Sequence, residues 1–212
     1  MIRQWLSQAL GSTAAHCRTV SGAFALYDPK ACVPCKKCTT PEVLRVECGT
    51  LSVADVDLEE WVKAVWPKGR CLPSLCDRLL SDAHAIEPRK VVFCELTCSD
   101  KKYISPYDNA AGRQAGKKAK AYDQLRSAVE FVSGLSDDCR RAVEGCRVRE
   151  CIFAWRDRGL PAAGSGTSGA ERSMESFQLT PVSEAQMPQS RENIGGIIYT
   201  FRTIKHDRVY TW

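Results

Sequence analysis

A long amphipathic pattern between Ala115 and Leu135 constrains the fold of this chain more than any other feature. Apolar side chains recur there three or four residues apart, which predicts a helix; they are Ala119, Tyr122, Leu125, Val129 and Val132. β-rich runs lie on both sides, roughly Leu75–Leu80 and Lys90–Leu96 before the helix and Val148–Trp155 after it. The order strand, strand, helix, strand predicts an α/β domain with a mixed central sheet flanked by helices.

The length of the chain suits one such domain with additions. A chain of 212 residues, 44% of them hydrophobic, can bury a sizeable core. No apolar stretch approaches the roughly 20 residues that span a bilayer, and the first ten residues lack the apolar stretch of a signal peptide. We therefore expect a cytoplasmic protein with no membrane partner.

Composition divides the chain into three predicted parts. Residues 1–160 form the α/β domain and include a cysteine-rich insertion at 28–50. Residues 161–193 have the Gly, Ser and Pro content of a linker or long loop. Residues 194–212 are predicted to form a C-terminal β-hairpin that packs on the main domain. Two further helices are expected, one over residues 2–10 and one that begins after Asp57 and ends before Pro67.

The positive charge of the chain is concentrated in its middle. Residues 89–160 hold 15 Lys and Arg against 10 Asp and Glu, whereas the segments on either side are neutral, so this part carries the whole net charge of +5. A localised basic surface favours an anionic partner such as nucleic acid. The candidate phosphate-binding residues lie around the predicted long helix: Arg113, Lys117, Lys118, Lys120 and Arg126. A solvated helix face is the simpler alternative.

Two acids are placed to act together. Asp77 lies in the first β-rich run and Glu95 in the second, so adjacent strands would each carry one carboxylate. An acid in an apolar strand is costly to bury unless it is paired or bound to a metal. Carboxylate oxygens are ligands that Mg²⁺ prefers, so the pair predicts a site for Mg²⁺ or Mn²⁺. The alternative is a pair of surface ion pairs without catalytic function.

This arrangement resembles the PD-(D/E)XK nuclease superfamily. In that superfamily an Asp on one strand precedes Glu-x-Lys on the next, and a helix that often carries a Gln follows. Asp77, Glu95 and Gln124 would fill these places, and the resemblance covers residues 70–155. It implies a restriction-endonuclease-like fold and metal-dependent hydrolysis of phosphodiester bonds in DNA or RNA, with both acids holding the metal and Gln124 positioning a water or phosphate.

The chain departs from the family motif at one position. Thr97 stands where the motif has lysine, and a hydroxyl cannot supply the positive charge that stabilises an anionic transition state. Some branches of the superfamily place this lysine elsewhere. Lys101, which we take as the catalytic candidate, and Lys102 follow the strand, whereas Lys118 and Lys120 lie on the helix.

A cysteine cluster forms the second motif. Cys32, Cys35 and Cys38 are spaced two residues apart, and Cys48 follows ten residues later. Four thiolates satisfy tetrahedral zinc, so this N-terminal segment predicts a zinc-binding knuckle. Cys71 or Cys76 could replace Cys48, and an iron–sulfur site or free thiols are the alternatives.

These patterns leave three functional hypotheses. The first is a divalent-metal-dependent nuclease. The second is a catalytically inactive protein with the same fold that acts as a nucleic-acid-binding or assembly scaffold in a larger complex; the Thr97 substitution is its main support. The third is a small zinc-containing adaptor that recognises only protein.

Overall fold

A computed structural model describes residues 2–11, 14–28, 42–84, 88–157 and 189–212. The helices are α1 (Ile2–Leu10), α2 (Leu58–Val65), α3 (Gly116–Gly134) and α4 (Asp137–Gly145), with short 3₁₀ helices at Ala14–His16 and Lys101–Tyr103. The strands are β1 (Cys17–Tyr27), β2 (Glu42–Asp57), β3 (Arg78–Asp82), β4 (Lys90–Ser99), β5 (Tyr107–Asn109), β6 (Gly112–Gln114), β7 (Val148–Asp157), β8 (Gln189–Ile194), β9 (Ile197–Lys205) and β10 (Val209–Thr211).

One mixed sheet organises these elements. Its strands lie in the order β1, β2, β3, β4, β7, β9, β8, and β10 pairs with β2 off this path. The strands from β1 to β4 are antiparallel neighbours, whereas β4, β7 and β9 are parallel. A parallel pair needs a crossover connection, and α3 and α4 lie in the connection from β4 to β7. The predicted α/β fold with a mixed sheet is therefore confirmed.

The two faces of the sheet bury separate apolar clusters. All four helices contribute to the first cluster, where Phe93 and Phe153 of the sheet meet Leu125 of α3. The second cluster is drawn from strands: the first half of β2 and the adjacent β10 pack over Val92 and Ile152. Because β4 and β7 are covered on both faces, they are almost continuously apolar rather than alternating.

A buried polar network joins the C-terminal strand to the sheet. The Arg202 side chain, on β9, donates from Nε to Oε1 of Glu150, on β7, at 2.8 Å. The Tyr210 hydroxyl, on β10, donates to the other carboxylate oxygen of Glu150. All three side chains are buried. Each polar group in this network has a partner, as burial in an apolar cluster requires.

Three predicted helices are confirmed. The helices expected over residues 2–10, after Asp57 and over 115–135 are α1, α2 and α3. Asp57 caps α2, because its side chain accepts a hydrogen bond from the Glu60 backbone N–H at 3.2 Å. None of the helices in the described ranges is long and apolar enough to cross a membrane.

The end of the chain differs from its prediction. The hairpin expected over residues 194–212 is not formed by β9 and β10. Instead, β9 pairs with β7 and β8, and β10 pairs in parallel with β2. Buried Tyr210 draws β10 to the second cluster instead. Residues 161–188 of the predicted linker lie outside the described residues, and its last residues, 189–193, belong to β8 (Gln189–Ile194).

Gly116 should be indispensable at the start of α3. Its φ is +82°, and a Cβ there would lie 2.5 Å from the backbone of Ser105. We expect Gly116→Ala to lower the free energy of unfolding by about 2 kcal/mol or more, as measured by urea titration. Gly134→Ala is the control, because a Cβ at Gly134 meets nothing within 4 Å. Equal stability of the two variants would contradict this account.

Candidate functional site

The two predicted acids flank the point where the β3–β4 pairing ends. Arg78, the first residue of β3, pairs with Cys94 of β4. Asp77 directly precedes Arg78, outside the strand, and Glu95 directly follows Cys94 on β4. The structure therefore brings these two acids to neighbouring positions. Glu95 alternates onto the sheet face that the helices cover, together with Thr97.

Asp77 is held in place through both its side chain and its backbone. Its Oδ2 accepts a hydrogen bond from the Leu96 backbone N–H at 2.8 Å, and its carbonyl accepts one from the Leu58 N–H at 3.1 Å. The residue is only 3% exposed. The Asp77 carboxylate thus continues the hydrogen bonding of β4 beyond its pairing with Arg78, the first residue of β3. The backbone carbonyl of Asp77 joins the same residue to Leu58, the first residue of α2.

A third buried acid, Asp28, acts in the same way one step further along β4. Its Oδ2 accepts a hydrogen bond from the Cys98 backbone N–H at 3.0 Å, and it is 6% exposed. Sequence reasoning missed Asp28. Its position after β1 and before Pro29 indicates only a turn, and nothing local announces a contact with a residue 70 positions later.

The carboxyl ends of the parallel strands form the edge beside these acids. Thr97 of β4 is in register with Trp155 of β7, which is in register with Lys205 of β9. The Lys205 ammonium lies 6.0 Å from the centre of the Trp155 ring and 3.2 Å from Asp207. Ligands commonly bind at this end of parallel strands. Lys205 is a cation at this edge that the sequence did not single out.

Gln124 supports the segment before Asp77. Its amide nitrogen donates to the Leu75 carbonyl at 3.3 Å. The predicted contact with a water or a phosphate remains a prediction, and the observed contact is structural. Because Leu75 lies two residues before Asp77, Gln124 connects α3 to the backbone that positions this acid.

The candidate lysines occupy different environments. Lys101 and Lys102 are exposed on the 3₁₀ helix after β4, and Lys120 is exposed on α3. Lys118 is half-buried, with its ammonium 5.4 Å from the centre of the Tyr122 ring. The Tyr122 hydroxyl is hydrogen-bonded to Thr203 at 3.2 Å, so Lys118 lies on the helix-covered face that Glu95 shares.

Four of the five predicted phosphate-binding residues are available at the surface. Arg113, Lys117 and Lys120 are exposed, and Lys118 is half-buried. Arg126 differs, because its guanidinium pairs with Glu192 and with Asp123, each at 2.7 Å. Its predicted phosphate contact remains a prediction, and the observed contacts are these two ion pairs.

The zinc prediction falls largely outside the described residues, which do not include Cys32, Cys35 or Cys38. The fourth predicted ligand, Cys48, is buried in β2, and its thiol donates to the carbonyls of Gly22 and Leu51 at 3.0 and 3.3 Å. Within the ranges that the structure covers, no group of three or more His, Cys, Asp and Glu side chains could hold a metal ion. The zinc knuckle therefore remains a prediction.

The cysteines near the acid pair belong to the core. Burial raises the pKa of the Cys76 thiol well above its ordinary value, and the nearby Glu95 carboxylate adds to the rise. Burial likewise raises the pKa values of Cys94 and Cys151. These thiols stay protonated at neutral pH and cannot act as nucleophiles. Cys139 and Cys146 are buried in the interior as well.

Comparisons with known proteins add no relative. No protein-family model, no curated protein and no solved structure matches the chain.

Removal of the Asp77 carboxylate should destabilise the fold. Asp77→Ala leaves the buried Leu96 N–H without its acceptor, which costs about 1–3 kcal/mol, whereas the side-chain oxygen of Asp77→Asn can still accept. Thermal and urea unfolding of both variants would show this order. Asp123→Ala, at an exposed position of α3, is the control. An Ala variant as stable as the wild type would exclude a structural role for Asp77.

Thiol reactivity should separate the described cysteines into two groups. Cys71 is exposed, whereas Cys94 and Cys151 are buried with raised pKa values. We expect iodoacetamide to alkylate Cys71 in the native protein near pH 8 and to leave the other two unmodified until the protein unfolds. Peptide mapping by mass spectrometry measures this. Rapid native labelling of Cys94 would contradict the burial described here.

Proposed function

We propose that this protein is a divalent-metal-dependent nuclease that hydrolyses phosphodiester bonds of nucleic acid. The observation that carries the proposal is that Asp77, bonded to the N–H that follows Glu95, and Glu95 itself flank the end of the β3–β4 pairing. Gln124 of α3 bonds the segment that carries Asp77, so the helix with the basic start is packed beside them. An acid pair suited to a hard cation thus adjoins a surface suited to phosphates.

The order of elements around this pair supports the proposal. β3 and β4 are antiparallel, α3 follows, and β7 pairs in parallel with β4. Strand, strand, helix, strand is the order on which the resemblance to the PD-(D/E)XK superfamily depends. Glu95 lies in the middle of the second strand, as in that superfamily, whereas Asp77 lies directly before the first strand rather than on it.

The donor set at the pair fits Mg²⁺ or Mn²⁺. Carboxylate oxygens are hard ligands, and Mg²⁺ is commonly held by one or two carboxylates while it keeps several waters. A carboxylate has about four acceptor positions, so the Leu96 hydrogen bond to Asp77 is compatible with a cation. Asp77 and Glu95 would hold the ion, which when bound would activate a water and polarise the phosphate.

The remaining roles fall to residues at the same edge. Lys117 and Lys120, at the start of α3, bind and orient the phosphate backbone. Of the four lysines that could replace the motif lysine, Lys118 is the half-buried one on the face that Glu95 shares. We therefore assign to Lys118 the positive charge that stabilises the anionic transition state. Gln124 acts indirectly, since it supports the segment that carries Asp77.

Two observations favour a second candidate function, a nucleic-acid-binding scaffold without catalysis. Thr97 replaces the motif lysine on β4, and the Asp77 carboxylate already serves the backbone of Leu96. In such a protein the acid pair would be retained for the fold. The basic surface would bind nucleic acid in the same way, so binding alone does not separate the two functions.

Cleavage assays test the nuclease. Purified protein is incubated with labelled single- and double-stranded DNA and RNA in the presence of Mg²⁺, Mn²⁺ or EDTA. We expect metal-dependent cleavage that Glu95→Gln lowers by about 100-fold or more, and that Lys118→Gln also lowers, because each removes a group acting on the reacting phosphate. Glu144→Gln, on α4, is the control and should cleave normally.

Two results would contradict the nuclease. Cleavage that survives both EDTA and Glu95→Gln would show that another activity is being measured. Binding of nucleic acid without cleavage in either metal would support the scaffold instead.

A further inference from the structure

A compact basic surface carrying aromatic rings lies between the end of β4 and the middle of α3. Residues 101–122 contain six Lys and Arg residues and a single acid, Asp108. We call this region the basic-tyrosine surface. Its members are the cations and tyrosines of the segment: Lys101, Lys102, Tyr103, Tyr107, Arg113, Lys117, Lys118, Lys120 and Tyr122. Its charge is therefore about as large as the net charge of the whole chain.

Most cations elsewhere in the described chain are neutralised, but these six are not. Arg140 pairs with Glu144, Arg141 with Asp138, and Arg126 with Glu192. Among the residues that the structure covers, no ion pair involves any of the six cations of the basic-tyrosine surface. Six unneutralised cations on a short segment repel one another, so an anionic partner would relieve their repulsion.

Backbone contacts hold this surface in a fixed shape. The Lys118 N–H donates to the Ile104 carbonyl at 3.0 Å, and Ile104 is buried in the first cluster. Gly116 approaches the Ser105 backbone so closely that a Cβ would not fit. The β5–β6 hairpin between these points is therefore anchored at its base, and binding would require little ordering of the protein.

The tyrosines give the surface a second property. The Tyr103 and Tyr107 rings pack edge to face, with centroids 4.9 Å apart. The Lys102 ammonium lies 4.9 Å from the centre of the Tyr103 ring, and the Lys118 ammonium 5.4 Å from that of Tyr122. Both Tyr103 and Tyr107 are partly exposed. Aromatic rings among unneutralised cations are the combination that binds stacked bases together with their phosphates.

We propose that the basic-tyrosine surface binds single-stranded nucleic acid and leads it toward the acid pair. An aromatic ring can stack on an unpaired base but not on one that is stacked within a duplex, so the tyrosines select the single strand. Tyr122 of this surface is hydrogen-bonded to Thr203, which is in register with Phe153, and Phe153 is in register with Glu95. The inference deepens the proposed function by naming its substrate class, and the nucleic-acid binding itself is tested independently of cleavage.

Fluorescence anisotropy with labelled oligonucleotides of one sequence, as DNA and RNA and as single strand and duplex, tests the proposal. EDTA is included so that no cleavage occurs. We expect the wild type to bind single strands more tightly than duplexes. The double variant Tyr103→Leu/Tyr107→Leu should weaken single-strand binding at least about fivefold, the loss expected for one stacked base, with little effect on duplex binding. Tyr27→Leu, at an exposed position of β1, is the matched control.

A second variant measures the charges and does not depend on the tyrosines. Lys101→Gln/Lys102→Gln should weaken binding and reduce the slope of log affinity against log salt by about 1.4, because each phosphate contact contributes about 0.7 on single strands. Arg140→Gln/Arg141→Gln removes the same charge from α4, where both arginines are ion-paired, and should leave the slope unchanged. Circular dichroism establishes that all variants are folded.

The outcomes separate this inference from the proposed function. Tighter binding of duplex than of single strand, or tyrosine and lysine variants that bind as the wild type does, would overturn the inference even if the protein cleaves. Selective single-strand binding that both variants weaken would support it, and this result would stand even if no metal gives cleavage.

Discussion

The rest of the structure depends on how the backbone N–H groups of β4 find acceptors beyond the residues that pair with β3. β7 pairs with β4 along its whole length, but β3 reaches only as far as Cys94. Beyond that point the N–H groups of Leu96 and Cys98 are buried on the β3 side and need acceptors. The carboxylates of Asp77 and Asp28 supply them. These two side chains fix the end of β1 and the start of β3 against the central strand.

This solution also shapes the candidate site. At this edge two carboxylates, rather than a neighbouring strand, accept the hydrogen bonds of β4. Acidic side chains therefore lie beside the carboxyl ends of the parallel strands. Glu95 joins them from β4 itself. Asp77 and Asp28 therefore serve the fold at this edge of the sheet, where the backbone of β4 lacks a strand partner.

Local patterns were sufficient to predict most of the helices and strands. The apolar stripe of α3 and the capping pair of α2 are written in short stretches of sequence, because each follows from the geometry of one helix. The placing of Asp77 and Glu95 in neighbouring segments was also predictable, since β3 and β4 are consecutive strands that pair directly, although Asp77 lies just before β3 rather than on it.

Contacts between distant segments were not predictable in this way. Asp28 and Cys98 are 70 residues apart, and Arg126 and Glu192 are 66 apart. No periodicity connects them, so the sequence predicted neither the role of Asp28 nor the ion pair of Arg126 with Glu192. The β5 and β6 strands have three residues each, too few for a pattern, which hid the grouping of Tyr103 with Tyr107.

The parallel pairing of β10 with β2 has a kinetic consequence. It joins residues 209–211 to residues 45–47, so a large part of the chain must already be arranged before this contact can form. Contacts of such long sequence separation are slow to establish, since the entropy of loop closure opposes them until other contacts have formed. We therefore expect the helix-covered side of the sheet to consolidate first. The strand-covered side would be completed last, when Tyr210 reaches Glu150.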